Sequence, residues 1–144
     1  MNTNPILAPA AILVLWSVVV LFWVVFTRFP AFAKAGMKVK DFPPGGRYVD
    51  IEKDMPPKVN WVSHNYTHLM EQPTIFYAAV AVLALAGDSS SINVACAWAY
   101  VATRIVHSLW QGLVNIISIR IVLFSLSTFF LCVLAINAVR VTVF

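Results

Sequence analysis

The residues from Ile6 to Phe26, ILAPAAILVLWSVVVLFWVVF, carry no charge and a single hydroxyl, that of Ser17. At a helical rise of about 1.5 Å per residue, this stretch reaches across the roughly 30 Å hydrocarbon core of a bilayer. A signal peptide fits it poorly. No Lys or Arg precedes it, and its apolar run exceeds the roughly 7–15 residues of a signal core. Arg28 follows immediately, as expected of a retained membrane helix. The rest of the chain agrees: of 144 residues, 60% are hydrophobic and only 11% charged, whereas soluble domains carry about 25% charged residues. A soluble helical protein needs polar outer faces, and long stretches here have none.

The hydropathy pattern predicts an all-α, integral membrane, up-down four-helix bundle, read as one transmembrane domain over 1–144. The expected spans are about 6–28, 62–86, 91–111 and 116–139. The second span closes on AGDSSS, Ala86 to Ser91, a small polar turn cluster. Only a short link near Gly112–Asn115 separates the third and fourth, which implies antiparallel neighbours. Cys96 and Cys132 fall in apolar stretches without metal or redox spacing and read as small hydrophobes.

The one long extramembrane segment, about 29–61, is rich in Pro and Gly and holds Lys34, Lys38, Lys40, Arg47, Lys53 and Lys58 against Asp41, Asp50, Glu52 and Asp54. It reads as an irregular loop, either a lid over a site or a solvated linker. With Arg28, seven of the ten basic residues sit at or within it. The positive-inside rule therefore puts this loop in the cytoplasm and both termini outside. The net charge of +4 reads as orientation and contact with anionic lipid headgroups. No basic stripe interleaved with aromatics points to nucleic acid.

Against this apolar background, polar residues fall in a pattern. His64, His68 and Glu71 are spaced i, i+4, i+7 on one face of the second span, flanked by Asn65 and Gln72. Pro73 follows and deprives the Leu69 carbonyl of its helical donor. In the third span Arg104, His107 and Gln111 are spaced i, i+3, i+7, with Tyr100 one turn earlier. An Arg at that depth costs a few kcal/mol on insertion scales, so it should face the bundle interior and find a partner. Glu71, the only acid in the four spans, is the expected one, either as a register-setting ion pair or as part of a site. Arg120 opens the fourth span and Arg28 ends the first. Each reads either as a snorkelling anchor or as a cation placed for an anion. Together these residues predict a polar cleft on the loop side of the bundle, beside an apolar path to lipid-soluble substrates.

Other chemistries find no support in the pattern. A di-iron bundle needs several Glu residues and Glu-x-x-His pairs, and the spans hold one Glu, so no metal is expected. No nucleophile sits beside a base at recognisable spacing, and Gly45–Gly46 is a turn signal, not a phosphate loop.

Four spans, a long basic first loop, NYTHLMEQP (Asn65 to Pro73) and TRIVHSLWQ (Thr103 to Gln111) followed by Ile119–Arg120 resemble the MAPEG family, the membrane-associated proteins in eicosanoid and glutathione metabolism. The likeness covers nearly the whole chain and is to a divergent, bacterial-type member. It implies a homotrimer in a bacterial inner membrane, with glutathione as cosubstrate held between subunits. The implied activity is transferase or peroxidase chemistry on lipophilic electrophiles. Carried over, Arg120 and Arg104 take the catalytic roles. Arg28, Asn65, His68, Glu71, His107 and Gln111 hold the glutathione. The chain departs from glutathione-using members at His68, where they carry Asn, at His64 or Asn65, where they carry Arg, and at His107 and Gln111, where they carry Tyr. A second function stands beside this one: a non-catalytic membrane scaffold or accessory subunit, whose polar cluster holds helices together.

Overall fold

The computed structural model describes residues 4–38, 40 and 42–144; Val39, the loop acid Asp41 and residues 1–3 lie outside the described residues. Four long helices carry the chain: α1 (Leu7–Lys34), α2 (Pro57–Leu85), α3 (Ser91–Leu113) and α4 (Ile117–Val143). There is no strand among the described residues. Two single 3-10 turns, Tyr48–Asp50 and Glu52–Asp54, interrupt the long loop.

The helix ends follow from local chemistry. Pro57 occupies the first helical position of α2, where a missing N–H costs nothing. Both α1 and α2 stop at a glycine in the left-handed region, Gly36 (φ 71°) and Gly87 (φ 75°). After each, the chain folds back on the last turn, with Met37 N donating to Phe32 O (3.0 Å) and Asp88 N to Leu83 O (2.9 Å). This satisfies carbonyls that a helix end leaves open.

Buried positions repeat at alternating spacings of three and four. They run Ile6, Pro9, Leu13, Ser17, Val20 and Val24 along α1, and Val62, Asn65, Leu69, Pro73, Phe76, Val80 and Leu83 along α2. On α4 they are Ser127, Leu131, Leu134 and Ala138. Such seams pack helices at a shallow angle, as in up-down bundles. α1 lies along α2, α3 along α4, and α2 also touches α3 and α4. Outward, Leu15, Phe22, Phe26, Ile121, Val122, Phe129 and Ile136 are exposed, an apolar surface that only lipid or another protein surface covers.

Three helices, α1, α2 and α4, are long and apolar enough to cross a membrane, where four spans were expected. The difference lies in α3. Its 23 residues give about 34 Å of helix at 1.5 Å per residue, long enough to span. Its seam, however, is Asn93, Ala97, Tyr100, Arg104, His107, Ser108 and Gln111, polar where the other seams are apolar. α3 carries the polar stripe inward and presents Ile92, Trp98, Val106 and Leu113 outward. Its fit against α1 is close: a Cβ added at Gly112 would stand 2.5 Å from the Trp23 ring.

Candidate functional site

α2 and α3 bring the predicted polar faces together at the loop end of the bundle. Arg104 is fully buried, and its Nη2 donates to the His68 carbonyl oxygen at 2.8 Å. The His68 and His107 rings stack with centroids 5.7 Å apart and planes inclined by 17°. Phe124 of α4 closes the group, 6.0 Å from the His68 ring, 6.4 Å from the His107 ring and 5.8 Å from the Arg104 guanidinium carbon. Arg120 lies one turn before Phe124 on α4. Its Nη1 donates to Asn115 Oδ1 at 2.8 Å, and Asn115 presents that oxygen from a left-handed backbone, φ 60°. His68, His107, Arg120 and Phe124, with Ile117 and Ile121, line a cavity of about 300 Å³, the lower end of the small-molecule range of roughly 300–1,000 Å³.

On residues that line this cavity, Arg120 Nε and His68 Nδ1 are buried without protein partners, as are Nε and Nη1 of Arg104 behind Phe124; Asn65 Oδ1 and Gln111 Oε1, away from the lining, are also unpaired. Buried polar groups are ordinarily satisfied, so such a concentration marks a place where a ligand or further chain supplies the missing atoms. Guanidinium donors fit a carboxylate, and amide oxygens fit an ammonium or peptide N–H.

The expected Glu71–Arg104 ion pair is not formed. The ion pairs among the described residues are Arg47–Asp50, His64–Glu52 and His68–Glu71 (3.9 Å). The Glu71 side chain is 60% exposed, with its carboxylate 3.9 Å from His68 Nε2. The reason is angular. Leu69 occupies the α2 seam, and Glu71, two residues on, is rotated by about 200° at 100° per residue. Arg104 instead donates one bond, from Nη2 to the His68 backbone carbonyl, and its Nε and Nη1 stay unpaired.

Arg28 is also elsewhere. Its Nη2 donates to Ser63 Oγ, and its guanidinium lies 3.8 Å from the Tyr48 ring centre. With Arg47, Phe29, Phe32 and Phe42 it lines a separate cavity of about 480 Å³ under the long loop. The loop is pinned over that cavity. Tyr48 Oη donates to Asn60 Oδ1 (2.6 Å), Asn60 Nδ2 donates to Glu52 O (2.9 Å), and Glu52 pairs with His64. Burial raises the Tyr48 phenol above its ordinary range, although the Arg28 cation beside it pulls the other way, so it stays a donor. His64 thus serves the loop rather than the cavity.

Two further participants, Ser108 and Phe124, were not expected, and Gln72 does more than flank the α2 face. Ser108 Oγ accepts from Trp16 Nε1 (3.0 Å) and Asn65 Nδ2 (2.9 Å). Gln72 ties α2 to α4 and α3 through Thr128 (2.8 Å) and Tyr100 (3.3 Å). Ser108 and Phe124 each carried a signal: Ser108 sits four residues past Arg104, and Phe124 four past Arg120, so each continues a face already marked as polar.

No characterised protein and no solved structure matches the chain. Residues 6–140 of the 144, four helices and the long loop together, match the MAPEG family, and the chain is a member of it.

Proposed function

We propose that this membrane protein is a glutathione-dependent transferase or peroxidase acting on lipophilic electrophiles, with sites completed between copies in a homotrimer. The observation that carries the reading is the set of orphaned guanidinium donors on Arg104 and Arg120 around the His68–His107 cavity. The match to the MAPEG family supports it.

Bound glutathione supplies a thiol, ordinarily protonated at pH 7 since thiols titrate near 8.5. Arg120 places a cation at the cavity, favouring the negative sulfur, which is the nucleophile. Its hydrogen bond to Asn115 fixes the guanidinium and leaves Nε free. Arg104, His68 and Gln111 offer the remaining contacts. A lipophilic electrophile reaches the cavity past Ile117 and Ile121 from the bilayer.

Two features support a second copy at the site. An exposed carboxylate on a membrane helix, Glu71, is not left facing acyl chains. Arg28 and Arg120 line different cavities of one protomer, so a ligand held by both takes each from a different copy. The basic residues of the loop support an orientation with the loop and the site on the cytoplasmic side.

The test is purified protein in lipid nanodiscs, with glutathione binding by calorimetry and conjugation of 1-chloro-2,4-dinitrobenzene. Arg120→Ala should lower turnover by about a hundredfold, as loss of one charge-stabilising donor does. Equal turnover removes Arg120 from the reaction. Absence of glutathione binding in the parent protein leaves the scaffold reading. That reading accounts for the satisfied links of Asn65, Gln72 and Ser108, but not for the orphaned arginine donors.

A further inference from the structure

The end of the bundle opposite the loop carries a second polar cavity, of about 550 Å³, lined by Asp88, Asn93, Asn137 and Arg140 beside Ile92 and Val141. It stands far from the first. Asn137 lies 17 residues along α4 from Arg120, about 25 Å at 1.5 Å per residue. Nothing in the proposed glutathione chemistry uses it.

Its polar groups are held in place. Asp88 Oδ1 accepts from Ser90 N at 2.7 Å, and its Oδ2 accepts from Asn93 Nδ2 at 3.0 Å. Asn93, itself 2% exposed, accepts in turn from Asn137 Nδ2 at 2.7 Å. Asn4 Nδ2 holds the Asp88 carbonyl at 2.8 Å. The carboxylate is therefore fixed at the start of α3 and, through Asn93, from α4, while Asn4 holds the Asp88 backbone. Arg140 lines the same cavity, yet no ion pair within 4.0 Å joins it to Asp88 or to any other described acid. One anion and one cation thus share a cavity without neutralising each other. Its apolar side, with Ile92 and Val141 exposed, faces the lipid.

We propose that this cavity binds a phospholipid with an ethanolamine headgroup. The complementarity is one of charge and hydrogen bonding. The ammonium presents three N–H donors to the fixed Asp88 carboxylate and the Asn137 side-chain oxygen, and the phosphate meets Arg140. The acyl chains lie along Ile92 and Val141. A choline headgroup has no N–H to donate, and a glycerol headgroup brings no cation to Asp88. The ends of membrane helices stand at headgroup depth, where such a lipid presents these atoms.

The test is native mass spectrometry of the delipidated full-length protein with dioleoyl phosphatidylethanolamine, phosphatidylcholine or phosphatidylglycerol added in turn. The ethanolamine lipid should bind about tenfold more tightly than either other lipid, the scale of one charge-assisted hydrogen bond. Asp88→Asn should abolish its advantage over the choline lipid. Arg140→Gln, at an exposed position that does not carry the fold, should weaken all three. Equal binding of the three lipids, or an ethanolamine preference that survives both substitutions, overturns the proposal.

Discussion

Arg104 donates to the backbone carbonyl of His68 rather than to the carboxylate of Glu71. The cation is fully buried, yet two of its three nitrogens find no protein acceptor. Replacing an under-paired buried charge by an apolar side chain of similar size is often neutral or stabilising.

Arg104→Met therefore separates a binding role from a structural one. Thermal unfolding in detergent should change by less than about 1 kcal/mol equivalent, or rise, while glutathione binding falls at least tenfold. A large loss of stability at this position would show that the side chain holds the helices instead.

Gly112 admits the Trp23 ring with no room for a methyl group. Gly112→Ala should destabilise by about 1–3 kcal/mol, the usual cost of overpacking. Adding Trp23→Leu should recover part of that loss, because the two changes act on one contact. Melting temperatures of the three variants, compared as a double-mutant cycle, check both statements.

Asn115 carries a positive φ, and its side-chain oxygen accepts from Arg120. Asn115→Gly keeps the backbone easy but releases the guanidinium. Turnover should fall with the fold intact, and Asn115→Asp should recover part of it by restoring an acceptor. Steady-state kinetics beside circular dichroism distinguish this from simple unfolding.

The backbone hydrogen bond from Ser90, with side-chain bonds from Ser90 and Asn93, holds the Asp88 carboxyl below its usual range against a smaller opposing effect of burial. A depressed folded-state pKa gives stability that is present above the unfolded carboxylate value, about 3.9, and lost as pH falls through the folded one. Melting temperature should therefore drop more steeply as the pH falls below about 4 in the parent protein than in Asp88→Asn. Parallel curves for the two proteins would remove Asp88 from the acid response.

The heptad-like seam of α2, Val62, Leu69, Phe76 and Leu83, stands in the sequence as a plain seven-residue repeat, and so does the polar stripe of α3. Those two patterns are enough to bring His68, Arg104 and His107 together. The direction of Glu71 was also encoded. Once Leu69 is in the seam, a residue two places on faces the other way, but grouping polar residues by i, i+4, i+7 alone treats a broad arc as one face. The placement of Arg28 was not legible. It depends on Tyr48 and Asn60, which lie in or beside an aperiodic loop, and spacing says nothing about where such a segment folds back. The role of Phe124 was hidden because an aromatic in an apolar span looks like any lipid-facing residue.

Ser108 receives donors from α1 and α2 while belonging to α3. With both lone pairs committed, this single oxygen ties three rods at one knot. Trp16 of α1 and Asn65 of α2 are therefore held in register through one hydroxyl of α3, and neither helix can shift against the other without breaking a bond at that point.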